Sequence, residues 1–514
     1  MQRWILTLLA AALLHGSPGA EAEKKPPNLI VFLTDQQRVD TLGVYGNKQI
    51  RTPHLDRLAR RSFVFDSFYV SNPVCTPSRA SLLTGLYPHK HGSWKNSIPL
   101  DPKVPILVEM LHDPEYASAY YGKWHLGNEI FRQRGFTDFD STEIYQRWWS
   151  EDQDHSRRSG YYHFLKEKGI EADTPYGHSR DLANRLPKEL SKPVYLARRG
   201  IRFLEQHKDR PFVLYLSFLA PHAFADHKQG PPFTNVYGDL YDPADMPIPD
   251  SFFQPMDPTV SFAKRQMRLA LIRGELPIAY PQTVEELRDA MARYWGLVTL
   301  VDEMVGRVLD RLRELGLEEN TIVVFTSEHG EMLGDHRLMS KMNSYEEAAK
   351  VPFLLSIPGL WDRSRRVGKP VSQVDVTPTL LDLMGQPLPE HLQGESWAAD
   401  LRSGREFPDR DILVVSDEQG FSHPWNRRHV YQHRTLVTPE GWKLTVSSAG
   451  DGELYHLGRD PKEMRNLYFL PDYQDQVREM WARLRVRQKE VEDPVAMDLN
   501  QPWPQRRGGQ PKFP

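Results

Sequence analysis

The sequence predicts an α/β protein with a smaller α+β unit at its C-terminal end. Three observations carry this. Continuous apolar, β-branched runs recur along the chain, as in strands buried on both faces. A segment of more than two dozen residues with apolar positions at helical spacing separates two of them. After about residue 387 come further strand-like runs and a closing helix. Hydrophobic residues make up 39% of the 514 and aromatics 11%, which excludes a disordered or collagen-like chain. The 65 basic and 68 acidic residues nearly balance, and a nucleic-acid-binding chain would carry a basic excess.

The elements follow in order. Trp4 to Leu14 is apolar apart from Thr7, and Ala20-Glu21-Ala22 fits a small-x-small cleavage site. This predicts a signal peptide over residues 1–22 and an exported, periplasmic or secreted, protein. No later run is long and apolar enough to span a bilayer. Pro27 to Thr34 reads as a buried strand ending in Asp35-Gln36-Gln37-Arg38. Ser71 to Arg79 is polar with two prolines and reads as a loop, running into a helix from Ala80 that stops at Gly85. The chain's one cysteine, Cys75, sits in that loop, so no intramolecular disulfide is available. A cysteine at a loop-to-helix junction feels the positive field of free N–H groups, a place for a nucleophile or an anion.

Ala119 to Gly127 reads as extended, which puts Lys123 and His125 on one side of Trp124. Pro211 to Phe218 is another buried strand, leading to Ala220-Pro221-His222. From Thr283 to Leu315, Met291, Tyr294, Val298, Val301, Val305, Leu309 and Leu312 mark a helix that Gly316 can stop. Thr321 to Thr326 is a strand ending in Ser327-Glu328-His329-Gly330. In open α/β sheets ligands bind at the carboxyl ends of strands. Two such ends rich in carboxylate, amide and imidazole suit a hard divalent cation. Beyond 387, residues 411–415 and 442–446 read as strands and Tyr473 to Val491 as a helix; the tail from Asn500 is rich in Pro, Gln, Arg and Gly. This divides the chain into a signal (1–22), a catalytic domain (23–387), a C-terminal subdomain (388–494) and a tail (495–514).

Cys75-Thr76-Pro77-Ser78-Arg79, followed by Leu83-Thr84-Gly85, resembles the C-x-P-S-R signature of type I sulfatases. Gly122-Lys123-Trp124-His125-Leu126-Gly127, Pro221-His222 and Glu453-Leu454-Tyr455-His456-Leu457 with Asp460-Pro461 resemble further segments of that family. The resemblance implies an alkaline-phosphatase-like mixed sheet sandwiched by helices. It implies hydrolysis of an organic sulfate monoester, with Cys75 converted to formylglycine by a formylglycine-generating enzyme. It implies one divalent cation, calcium-like, held by Asp35, Gln36, the modified Cys75, Glu328 and His329.

The implied roles follow. Arg79 holds the nucleophile loop, Lys123 and Lys341 grip sulfate oxygens, His222 protonates the leaving alcohol, and His125 takes the proton from the second hydroxyl. Asn96, in His91-Gly92-Ser93-Trp94-Lys95-Asn96, is a substrate-contact candidate. Two positions depart from the pattern: Gln36, where Asp is usual, and Glu328, where Asp is usual. Aromatics and cations between Tyr145 and Tyr162 (Trp148, Trp149, His155, Arg157, Arg158, Tyr161, Tyr162) suit a sulfated sugar. Gln36 leaves a phosphonate or phosphate diester hydrolase of the same fold open. Glu328 leaves a non-catalytic glycan-binding homologue open.

Overall fold

The structure is a computed structural model. It describes residues 25–142, 157–175, 177–222, 233, 235–275, 280–361, 365–417, 432–448, 450–495 and 497. The signal segment, residues 145–156 of the aromatic stretch and the tail from Asn500 lie outside the described residues. No described helix is long and apolar enough to cross a membrane.

Among the described residues, ten strands precede residue 373: β1 (Asn28–Asp35), β2 (Phe63–Phe65), β3 (Phe68–Tyr69), β4 (Ala117–Gly122), β5 (Asp138–Asp140), β6 (Phe212–Pro221), β7 (Thr321–Ser327), β8 (Phe353–Ser356), β9 (Arg366–Val367) and β10 (Val371–Ser372). Eight of them form one sheet in the order β5-β4-β6-β1-β7-β8-β2-β9. Strands β5, β4, β6, β1 and β7 are mutually parallel, and β8 runs antiparallel to both β7 and β2. The sheet is therefore mixed, with its parallel part running from the β5 edge to β7.

Strand β1 shows why the sheet is covered on both faces. All eight of its residues are buried. Successive side chains of a strand point to opposite faces. Ile30 and Phe32 join a cluster with Val298, Val301 and Val305 of the long helix Val284–Glu314. Leu29, Val31 and Leu33 join a second cluster with Leu82 and Leu83 of the helix Cys75–Thr84. Each fully buried Val, Leu, Ile or Phe contributes roughly 1.5–3 kcal/mol, so a continuous apolar run is stable only at the centre of such a sandwich.

The long helix begins as its periodicity predicts. Thr283 caps it by accepting from the Glu286 N–H at 3.1 Å, and Gly316 follows it with φ +70°. The C-terminal subdomain carries an antiparallel sheet of β11 (Ile412–Ser416), β12 (His433–Val437), β13 (Trp442–Ser447) and β14 (Gly452–His456). Strand β12 has no counterpart among the sequence expectations. The helix Gln474–Glu490 packs Val477, Met480, Trp481 and Leu484 onto Leu413, Val415, Leu436 and Leu444. Trp397, Leu401 and Phe407 pack with Phe63, Phe65 and Phe353 of the main sheet.

Two local expectations are corrected. The helix expected from Ala80 already starts at Cys75. Pro77 permits this because proline is tolerated in a first helical turn, where N–H groups lack intrahelical partners. The extended stretch expected through His125 ends at Gly122. There Gly122 has φ +111°, and a Cβ would collide with the Ser217 carbonyl, so only glycine lets β4 turn away. His125 itself has φ +59°.

Candidate active site

Because β1, β4, β6 and β7 are parallel neighbours, their carboxyl ends share one edge of the sheet. Asp35 ends β1, Lys123 follows β4, His222 follows β6 and Glu328 follows β7. The helix Cys75–Thr84 begins against that edge, and Cys75 is at its first position. Asp35, Cys75, Glu328 and His329 are all buried, and their ligand atoms lie within 4.8 Å of one another.

The cluster is tightly organised. Cys75 Sγ is 3.2 Å from His329 Nε2, which lies 3.1 Å from Glu328 Oε1 and 4.0 Å from Asp35 Oδ1. His329 Nδ1 lies 2.9 Å from the Gly330 carbonyl, which can only accept. In the neutral ring Nδ1 therefore carries the proton, and the Nε2 lone pair faces the cluster. Gly330 follows because a Cβ there would strike the Glu347 carbonyl. Asp35 Oδ2 receives Lys123 Nζ and, at 3.3 Å, Arg79 Nη2, while Oδ1 is buried with no hydrogen-bond partner among the described residues. An orphaned carboxylate oxygen costs free energy unless something positive meets it. The two carboxylates, one of them with that unpartnered oxygen, and an imidazole lone pair fit a divalent cation.

Arg79 is wholly buried and ties the site together. It pairs with Glu328 through Nε, and its Nη1 donates to Ser217 Oγ and the Lys123 carbonyl, each at 2.8 Å. Lys341 Nζ donates to Gln36 Oε1 and to His222 Nε2, the latter at 2.9 Å. Arg79, Lys123 and Lys341 bring three cations to this edge, a charge that can meet an anion.

These charges shift the titrating groups. Burial pushes the Asp35 carboxyl up, but Lys123 and Arg79 hold it well below the usual carboxylate range. Burial, then Lys123 and Arg79, push His125 well below an ordinary imidazole. Burial, then Lys341, do the same to His222. Burial and Glu328 raise the Cys75 thiol, yet Lys123 and Lys341 bring it below its usual value.

The structure brings Asp35, Gln36, Cys75, Arg79, Lys123, His125, His222, Glu328, His329 and Lys341 to one edge. Asn96 lies beside them. Its Oδ1 accepts from the Thr76 N–H at 3.0 Å, so it helps hold the turn that carries Cys75. Of the aromatic stretch, the described Tyr161 is buried with its hydroxyl on the Leu190 carbonyl at 2.8 Å, and Arg158 lies over the Tyr162 ring.

Two carboxylates went unread in the sequence. Glu129 accepts from the His125 N–H at 2.6 Å and from Ser141 Oγ at 2.9 Å. Glu331 accepts from the Gln36 amide and from the Leu333 N–H at 3.0 Å. Nothing in a lone acidic residue distinguishes such a role from a solvated surface position. For Glu331, its place three residues after Glu328 is the one available signal.

Comparison with known proteins agrees with this geometry. The sulfatase family profile matches residues 27–386, and the profile "N-sulphoglucosamine sulphohydrolase, C-terminal" matches residues 334–490. An ulvan-active sulfatase from Formosa agariphila is 28% identical over 481 residues, covering 92% of this chain and 83% of the relative. The fold resembles BT4656 in complex with its substrate D-glucosamine-2-N,6-O-disulfate, with TM-score 0.70 and 22% identity, covering 91% of this chain and 99% of the other. It also resembles a phosphonate monoester hydrolase from Silicibacter pomeroyi, with TM-score 0.73 and 22% identity, covering 90% and 96%. The strand-end geometry and a family match over most of the chain lead to one assignment: this protein belongs to the sulfatase family and is a sulfuric ester hydrolase.

Proposed function

We propose that the protein hydrolyses a sulfate monoester of a carbohydrate, with residue 75 acting as nucleophile after conversion of Cys75 to formylglycine. The observation that carries this is the meeting of Cys75, Asp35, Glu328 and His329 under three cations at one sheet edge. The relative named for ulvan and the structural neighbour bound to a disulfated glucosamine support a sulfated sugar as substrate.

Asp35, Glu328, His329 and residue 75 would hold a calcium-like cation; Gln36, expected to join them, instead turns its amide oxygen to Lys341 and its NH2 to Glu331. Bound there, the cation would supply positive charge that favours an ionised oxygen on residue 75. Lys123 and Lys341 would bind the sulfate oxygens and offset the charge that builds as the ester bond breaks. Attack by an oxygen of the hydrated aldehyde on sulfur would transfer the sulfo group to residue 75 and release the alcohol. The departing alkoxide needs a proton. His222 is neutral in the free site, and the Lys341 ammonium donates to its Nε2, so the Lys341–His222 pair would supply that proton. His125, also neutral, would then take the proton of the remaining hydroxyl. The carbonyl would re-form, sulfate would leave, and water would restore the hydrate.

A second reading rests on Gln36. An amide at that position removes one negative charge, which keeps a phosphonate or phosphate diester substrate in play. A panel of aryl sulfate, sulfated monosaccharide, phosphate diester and phosphonate ester substrates decides between them. The sulfatase reading predicts the highest kcat/KM on a sulfate ester and complete loss in Cys75→Ala with the fold retained. Faster turnover of the phosphorus esters, or turnover surviving Cys75→Ala, would overturn it.

A further inference from the structure

Glu331 is buried and stands outside the cluster of Asp35, Cys75, Glu328 and His329. Its Oε1 accepts from the Leu333 N–H at 3.0 Å and from the Ser340 N–H. These bonds clamp both ends of the turn that delivers Lys341. Its Oε2 accepts from Gln36 Nε2. On the other side, Gln36 Oε1 accepts from Lys341 Nζ, which in turn donates to His222 Nε2 at 2.9 Å. The Gln36 backbone is held too: its φ is +67°, and its carbonyl accepts from Tyr294 Oη at 2.6 Å.

A carboxylate has two equivalent oxygens, but an amide has one accepting end and one donating end. With Asp at position 36 there would be no orientation to choose. With Gln there are two, and only one works. The reversed amide would aim its NH2 at the Lys341 ammonium and its oxygen at the Glu331 carboxylate, a buried donor–donor and a buried acceptor–acceptor contact.

We propose that Glu331 is a positioning residue whose carboxylate sets the polarity of the Gln36 amide, so that its oxygen end faces Lys341 and holds that ammonium in the sulfate-binding pocket. Glu331 touches no substrate; it acts through Gln36 and Lys341. The proposal rests on the reading of Lys341 as a sulfate-binding group.

An exchange of partners tests it. Glu331→Gln keeps the shape, and its oxygen stays on the Leu333 and Ser340 N–H groups, so its NH2 meets the Gln36 NH2 and the working orientation of that amide loses its acceptor. In the matured, calcium-loaded enzyme, inorganic sulfate should bind about tenfold more weakly by calorimetry, since a charge-assisted hydrogen bond has been lost. Gln36→Glu alone sets two carboxylates together and should also weaken binding. The double variant Gln36→Glu/Glu331→Gln restores a donor facing an acceptor at each contact, and sulfate affinity should return to within about threefold of the parent. If the double variant does not fold, the pair Gln36→Asp and Gln36→Asp/Glu331→Gln reads the same coupling. There Glu331→Gln should cost far less than in the parent background, because a carboxylate at position 36 has no wrong orientation. Additive losses in sulfate affinity, or coupling seen in the thermal midpoint but not in sulfate affinity, would overturn the proposal. If the parent itself binds no sulfate and hydrolyses no sulfate ester, the functional reading fails instead, while recovery of the thermal midpoint in the double variant still reports the amide's fixed polarity.

Discussion

Replacing Glu129 with Ala should disable His125 without unfolding the protein. The His125 N–H donates to Glu129 Oε1 at 2.6 Å, and Ser141 Oγ donates to Oε2 at 2.9 Å. His125 is held at φ +59°, where a side-chain-bearing residue pays about 1–2 kcal/mol. A hydrogen bond to a buried charge returns about 1.5–3 kcal/mol, enough to offset that strain. Without Glu129 the strain loses this compensation and the His125 N–H loses its carboxylate acceptor. The two effects together favour leaving the left-handed conformation by about 2 kcal/mol, or roughly thirtyfold in population. The His125 carbonyl also accepts from Thr76 Oγ1 at 2.9 Å, so a change at His125 is felt beside Cys75. With a fast aryl sulfate, kcat should fall roughly ten- to thirtyfold. A burst of released alcohol should appear as the step assigned to His125 becomes limiting. Ser141→Ala, which leaves the His125 N–H bonded, should change kcat less than threefold by the same arithmetic. A Glu129→Ala enzyme with parental kcat and no burst would refute this chain of reasoning.

Other expectations are quickly checked. His222→Ala should slow alkyl sulfates more than activated aryl sulfates, because only a basic alkoxide needs a proton on departure; equal losses on both would remove the Lys341–His222 pair from that role. Chelation should abolish turnover and calcium should restore it; Glu328→Asp should stay active, whereas Glu328→Ala should lose metal and turnover together by metal analysis and assay. Asp302 caps a helix by accepting from the Leu55 N–H at 2.7 Å and the His54 N–H at 3.2 Å, and burial pushes its carboxyl up to about 7 from 3.8. Its folded value lies above its unfolded one, so its favourable contribution is full below 3.8 and is lost as pH rises toward 7. Asp302→Asn keeps the acceptor without the charge, so its thermal midpoint relative to the parent should rise between pH 4 and pH 8; an unchanged difference would refute the linkage.

Much of the main sheet could be read in advance because burial on both faces writes itself as unbroken apolar sequence. β1, β6 and β7 were each visible that way, and their ends proved to be neighbours. Their order was not visible, since β1 lies between strands nearly two hundred and three hundred residues away, and such pairing leaves no local mark. β12 escaped because His433-Arg434-Thr435 carries polar groups into a buried strand, where Arg434 is satisfied by Asp417 and Asp493. Cys75 and Lys123 could be placed through their motifs, but the turn at Gly122 broke the expected extended path to His125. Glu129 left no mark in the sequence and Glu331 only its nearness to Glu328, since their meaning lies in the backbone N–H groups and, for Glu331, the Gln36 amide that the fold brings to them.

The most direct test of the central claim is mass spectrometry of the peptide containing residue 75, from protein produced alongside a formylglycine-generating enzyme. The account predicts an aldehyde at residue 75, reactive toward a hydrazide probe, with its fraction tracking sulfate ester hydrolysis from one preparation to the next. Quantitative unmodified thiol in a preparation that hydrolyses sulfate esters at full rate would contradict it.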